Sequence, residues 1–225
     1  GLMDQLGCIS FSNLEGDQFQ DMLPPDIPII EYVTVDTASG FISIQWQPTY
    51  FQDTYAYIIF QNINGVWVVI DTVYGYNNTS YLNSISSNSS YQIDNYGVAA
   101  YDSCINGNPN TSPVSTSHNT ILLTNDLNIC DLSIDLDWNS YDGWFNGVAH
   151  YNLYSSKDND PWVQLAQLSS GSTSYTHFNV DGLSTYSYLI EAIENGGEKS
   201  LSNVSERYSY QPPEAAFSYL KSVSV

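Results

Sequence analysis

Three sets of side chains in this sequence have the chemistry to form a site. Asp131, Asp135 and Asp137 share one parity in Asp131-Leu132-Ser133-Ile134-Asp135-Leu136-Asp137-Trp138, so in an extended strand their carboxylates leave the same face, about 7 Å apart per two residues. Calcium takes about six to eight oxygens, and Asp126, Asp142, Asp158 and Asp160 add more nearby. A calcium site can be drawn on these residues, but no Asp-x-Asp-x-Asp-Gly loop is present, and a solvated acidic face is the reading we expect. No other cofactor is implied. The second set is aromatic: Trp144 and Phe145, in the loop from Tyr141 to Gly147, together with Trp162. Flat rings beside Asn and Asp suit carbohydrate stacking, whereas packing of Trp144 beneath its own loop or against a neighbouring module is the competing and expected reading. The third set is sulfur. Cys8, Cys104 and Cys130 form no CxxC and have no His at ligand spacing, which argues against zinc and for one disulfide with one thiol left over.

Catalytic constellations find no support. His118, His150 and His177 fall on predicted strands or strand edges, and no Gly-x-Ser-x-Gly, no HExxH and no Gly-rich strand-to-helix loop occurs. A carboxylate pair for glycoside hydrolysis can always be drawn from 24 acids, but nothing selects one pair. We therefore expect no enzyme activity.

The elements that must hold these groups are strands. In 225 residues, 4 Lys+Arg face 24 Asp+Glu, a net charge of −20, which disfavours nucleic acid and anionic lipid and is expected to oppose self-association. With 42% hydrophobic residues, 19 Tyr and 5 Trp, the chain has too much apolar surface to stay unfolded. No apolar run approaches the roughly 18 residues of a membrane span, and no basic segment with an apolar core opens the chain. Alternation with period two dominates Phe41-Ile42-Ser43-Ile44-Gln45-Trp46 and Asp131 to Trp138. Further strands are read at Ile29 to Val35, Ala56 to Asn62, Val66 to Val73, Tyr96 to Tyr101, Val114 to Leu123, His150 to Ser155, Trp162 to Leu168, Ser174 to Phe178, Tyr186 to Ile193 and Ser202 to Tyr210, with turn clusters such as Asn64-Gly65 between them. No helix is expected, and the fold class is all-β, a sandwich or barrel.

An internal repeat sets the domain count. Trp46 and Trp138 are 92 residues apart, Tyr57 and Tyr151 are 94, Trp67 and Trp162 are 95, and Ala100 and Ala192 are 92. We divide the chain into a poorly patterned segment, 1–27, a first module, 28–121, a second module, 122–211, and 212–225, where Ser218 to Val223 reads as the first strand of a following domain. The chain is thus expected to be part of a longer protein.

The landmarks resemble the fibronectin type III module: a Trp on the second strand, Tyr-x-Leu at Tyr151 to Leu153, Tyr186-Ser187-Tyr188-Leu189-Ile190-Glu191-Ala192, Asn195-Gly196 and Ser202. The resemblance implies two tandem immunoglobulin-like β-sandwiches, with Tyr186 as a tyrosine corner; the first copy carries Asp94 where that corner is expected. A closer resemblance covers nearly the whole chain. Gly97 to Cys104, Ser112 to Ser115, His118-Asn119-Thr120-Ile121-Leu122-Leu123, Cys130, Leu136 to Trp144 and Gly147 to Tyr151 look like the tandem upstream of the sorting domain in Bacteroidetes gliding-motility-associated surface proteins of the type IX secretion type B class. That implies an extracellular, cell-surface stalk or presentation segment, related to adhesion or gliding. Its partners would be neighbouring domains of the same polypeptide, the secretion machinery through the downstream domain, and a glycan or surface protein. The alternative is a glycan-binding accessory module of a secreted polysaccharide-degrading enzyme. In such an exported protein, a Cys104–Cys130 disulfide across the junction would close a loop of about 26 residues and stabilise by roughly 3 kcal/mol. Cys8 is expected to pair elsewhere or stay free. Asp36-Thr37-Ala38 and Asp71-Thr72-Val73 resemble a short O-glycan acceptor pattern of that lineage, at Thr37 and Thr72.

Overall fold

The structure, a computed structural model, describes residues 24–84, 89–102 and 110–209, and the backbone of a short antiparallel pair, β1 (Leu2–Met3) and β2 (Ile9–Ser10). Cys8, Cys104 and the strand read at Ser218 to Val223 lie outside the described residues. Among those described there is no helix.

The strands form two sandwiches of one design. In the first, β3 (Ile30–Val35), β4 (Ile42–Trp46) and β7 (Ser80–Asn83) make a three-stranded sheet in the order β3-β4-β7. Against it lies a four-stranded sheet, β6-β5-β8-β9, built from β5 (Thr54–Ile63), β6 (Val66–Tyr74), β8 (Asn95–Asp102) and β9 (His118–Asn119). The second sandwich repeats this plan. Its β10 (Leu123–Asn128), β11 (Ser133–Trp138) and β14 (Ser174–His177) pair in the order β10-β11-β14. Facing them are β12 (Val148–Lys157), β13 (Val163–Ser169), β15 (Thr185–Glu194) and a divided last strand, β16 (Lys199–Leu201) and β17 (Ser205–Tyr208), ordered β13-β12-β15 with both halves on β15. This three-plus-four antiparallel arrangement is the fibronectin-type-III-like form of the immunoglobulin sandwich.

Alternation drives it. In β4, Ile42, Ile44 and Trp46 are buried while Ser43 and Gln45 are not, because successive side chains leave opposite faces of a strand. Each core is keyed by an edge-to-face pair of the repeated landmarks: Trp46 on Tyr57 at 5.3 Å and Trp138 on Tyr151 at 6.1 Å between ring centroids. Burying side chains of this size contributes roughly 1.5–3 kcal/mol each. The β5–β6 hairpin closes through Asn64 (φ 54°) and Gly65 (φ 85°), the two positive-φ positions of a two-residue turn whose twist matches its strands.

Two expectations change. The stretch Val114 to Leu123 is not one strand; only β9 pairs regularly within it. Pro113 has no N–H to give a ladder, and serine hydroxyls replace the missing partners: Ala100 N–H donates to Ser112 Oγ at 2.9 Å and Val98 N–H to Ser115 Oγ at 3.0 Å. In the second sandwich Ile190 N–H donates to Ser202 Oγ at 3.0 Å, so the Ser-x-x-Ser signature is a hydrogen-bonding device for an irregular last strand. Strand β7 carries no strand signal in the sequence, since Ser80-Tyr81-Leu82-Asn83 is short and lacks a clear alternation.

The corner differs between copies. Tyr186 hydroxyl accepts from Asp181 N–H at 2.9 Å, the bond that the resemblance implies. In the first sandwich Asp94 takes this place, buried, its Oδ1 accepting from Gln61 Nε2 at 3.0 Å and Gln92 Nε2 at 2.7 Å. Burial holds its carboxyl above the ordinary range, against those two donors.

Candidate functional site at the intermodule junction

Between the last residue of β9 and the first of β10 stand only Thr120, Ile121 and Leu122, and the first two are fully buried. The loop between β11 and β12 folds over them. Asn139 accepts from Leu122 N–H through Oδ1 at 2.8 Å and donates through Nδ2 to Thr120 C=O at 3.0 Å. Asn119 reciprocates, donating to Ser140 C=O at 2.9 Å and accepting from Asp142 N–H. Two of the linker's backbone groups are thus satisfied by a carboxamide, Thr120 N–H donates to Asp94 C=O at 2.9 Å and Ile121 forms a bridge with Ser202, as buried backbone requires.

The same loop reaches the first sandwich. Tyr141, 5% exposed, accepts at its hydroxyl from Val33 N–H at 2.9 Å and lies 2.9 Å from His118 Nδ1. Trp144 packs on Tyr141 with centroids 4.0 Å apart and the rings tilted at 40°, and it donates Nε1–H to Glu31 C=O. From the far side of the second sandwich, Ser200 Oγ donates to Val33 C=O at 2.7 Å and Leu201 N–H to Thr34 Oγ1 at 2.8 Å. Strand β3 therefore belongs to two packings at once: Val33 is in the first core, while Tyr32 packs against the second. Gly143 (φ +120°) lets the loop pass; a Cβ there would stand 2.4 Å from the His118 ring and 2.7 Å from Ser117 C=O.

A groove of about 530 Å³ opens along this junction between Ile29, Glu31, His118, Trp144, Phe145 and Glu198. Burial holds the His118 imidazole down at about 4, although Asp142 nearby pulls the other way. Burial also lowers His177, whose Nδ1 meets Tyr188 hydroxyl at 2.9 Å. On the adjoining sheet Glu191 is raised by burial, yet hydrogen bonds from Asn152, Lys199 and Tyr154 and the charge of Lys199 bring it below the ordinary range.

A pH prediction follows from His118. Below its ordinary value of 6.5 and above about 4, the unfolded chain carries a proton there that the folded chain does not, so stability falls as pH drops through this window, by roughly 3 kcal/mol at most. Thermal unfolding of the native chain and of His118→Asn between pH 7 and 4 checks this: the variant should show a flatter profile, and parallel profiles would refute it.

The sequence-derived candidates separate. Trp144 is buried in the junction beside Tyr141, so of its two readings it takes the expected packing against the neighbouring module, and it is not a stacking platform. Phe145 is fully exposed at the groove mouth, and Trp162, partly exposed before β13, does not line the groove. Asp131 accepts from Asn128 Nδ2, Asp135 accepts from Thr176 Oγ1 opposite Asp126, and Asp137 faces solvent between Thr124 and Ser174. Among the described residues no three His, Cys, Asp or Glu come together as metal ligands, because strand geometry keeps these carboxylates spread along a face. Cys130 is exposed and has no sulfur partner among the described residues. Thr37 is exposed at the β3–β4 turn, where Asp36 accepts from the amide and hydroxyl of Ser39 and the amide of Ala38, holding its carboxyl low. Thr72 is half-buried in β6.

Sequence reasoning passed over Tyr141, Asn119, Asn139 and Ser200 as working residues. The signal available was two carboxamides flanking the point where one repeat gives way to the next.

No family model and no curated protein matches the chain. Similar solved structures include an Fn3-like protein from Clostridium thermocellum, 25% identical over 44% of this chain and 98% of that one with a TM-score of 0.33. The FN1–FN3 domains of chicken CNTN1 are 16% identical over 84% of this chain and 69% of that one, with a TM-score of 0.32. Pectate lyase Pel3 from Pectobacterium carotovorum is 19% identical over 43% of this chain and 28% of its own length, with a TM-score of 0.35; the match thus spans less than a third of that enzyme.

Proposed function

We propose that this chain is a non-catalytic, extracellular stalk that presents its neighbours on a cell surface at a fixed angle. One observation carries the reading: the connection between the sandwiches is buried and bonded on every side, with Tyr141, Trp144, Ser200 and Leu201 of the second tied to Glu31, Val33 and Thr34 of the first. Modules meant to move independently leave an exposed, polar linker between them. The polar groups that might suggest chemistry are used in packing: His118 and His177 each bond a tyrosine hydroxyl, and Glu191 is held by three donors. The location next to a type IX secretion sorting domain, with an adhesion or gliding context, is proposed from the motif string at Gly97 to Tyr151 alone.

Two measurements test the two halves of this reading. Small-angle scattering of the chain should fit a single intermodule orientation at every temperature below unfolding, and a profile that needs an ensemble of orientations overturns the stalk. Protease added to intact cells that make the protein should remove an epitope in this segment, and full retention overturns the surface location. A glycan-binding module is the second reading, kept open by Phe145 at the groove mouth; binding on a glycan array that is lost with Phe145→Ala at unchanged stability would select it.

A further inference from the structure

The two sandwiches provide an internal control for what an outward sheet face looks like without a partner. In the second, the solvent side of the four-stranded sheet is polar. The row Gln167–Asn152–Glu191 crosses β13, β12 and β15, the next row is Gln164–Tyr154–Leu189, and Gln164, Asn152, Tyr154, Glu191 and Lys199 are linked by hydrogen bonds. At the matching places in the first sandwich the rows are Thr72–Ile58–Ala99 and Val69–Phe60–Gly97. Trp67 extends the apolar surface, its ring within 3.3 Å of where a Cβ on Gly97 would stand. Ile58, Phe60 and Trp67 are partly exposed and Val69 is 54% exposed. No charged residue occurs on this face, and β6 is also the free edge of its sheet. A sheet face this apolar marks an interaction surface, whereas the edge of β6 itself is guarded by a bulge at Ile59–Phe60 and by the exposed Asp71, which favours contact through the face rather than the edge.

We propose that this face binds the same face of a second copy of the chain, giving a two-fold dimer of sheets packed about 10 Å apart. Charge chooses the occupant. None of the 4 Lys+Arg lies between residues 30 and 119, so the face offers no cation to an acidic partner and no carboxylate to a basic one. Laid on itself, it brings no like charges together, and the acids of the second sandwich lie on other sheets and loops. Size sets the strength: three strands, β6, β5 and β8, about 4.8 Å apart and some eight residues long give roughly 400 Å² per copy, so roughly 800 Å² in total, in the range of weak, transient contacts rather than of standard-size interfaces. The association is therefore reversible, and it strengthens with added salt, because screening relieves the repulsion between chains of charge −20.

Sedimentation equilibrium of the chain over a range of concentrations tests this. The expected result is a rise from 25.1 kDa towards twice that mass, steeper at higher salt. Val69→Glu, and separately Thr72→Glu, should hold the mass at the monomer value, while Gln164→Glu at the matching place in the second sandwich should dimerise as the native chain does. Thermal unfolding confirms that each variant is folded, and two positions on the face keep the test open if one is not. A native chain that stays monomeric up to about 1 mM, association that weakens with salt, or dimerisation unchanged in both face variants overturns the proposal.

Discussion

Gly143→Ala should uncouple the two sandwiches. At φ +120° an L residue is strained by about 1–3 kcal/mol, and the added methyl would meet the His118 ring at 2.4 Å and Ser117 C=O at 2.7 Å. The His118 ring has little room to retreat, since the segment from His118 to Ile121 is buried between both cores. Crowding of this kind costs roughly another 1–3 kcal/mol. The native chain should unfold in one cooperative transition by denaturant or heat, followed by tryptophan fluorescence. The variant should show two, separated because the junction no longer transmits stability from one sandwich to the other. A variant that unfolds in one step within about 0.5 kcal/mol of the native chain would show that the loop yields freely and that the junction is not the coupling element.

Tyr141→Ala is the second large effect. Truncating a buried aromatic ring to Ala costs about 3–5 kcal/mol, and here it also strips Val33 N–H of its acceptor and Trp144 of its packing partner, adding roughly 1–3 kcal/mol for the orphaned donor. Tyr141→Phe isolates that last contribution, because it keeps the ring. Equilibrium denaturation of the pair should rank Ala well below Phe, and Phe below the native chain. Equal stability of Phe and native protein would mean that water reaches Val33 N–H and that the bond contributes nothing.

Much of the scaffold could be read from residue types, and the reason is geometric. Where a strand is regular and buried on one face, as in Ile42 to Trp46 or Ile134 to Trp138, period two is written directly in the side chains. Asn64-Gly65 likewise names its turn because few other pairs tolerate positive φ twice. Legibility stops where pairing is carried by side chains. Ser112, Ser115 and Ser202 take over ladder bonds, and Asn203 brackets Leu123 by accepting from its N–H at 2.7 Å and donating to its C=O at 3.0 Å, so the segments there look like loops in the sequence. The junction was hidden for another reason. Tyr141 and Trp144 contact residues more than 100 positions away, and no local pattern reports a contact of that range. Packing of Trp144 against a neighbouring module is readable from the sequence, but its partners, Tyr141 and Glu31, are not.

The three-residue connection has a mechanical corollary. A pull on the two ends of the described chain enters through β3 and leaves near β17, and β3 is itself clamped to β16 through Val33 and Thr34. Tension cannot first take up slack in the tether, because Thr120 and Ile121 have none to give. Load must instead shear the bonds around Tyr141 and Ser200 before either sandwich is stretched, so the joint acts as a fuse that yields ahead of the modules it connects.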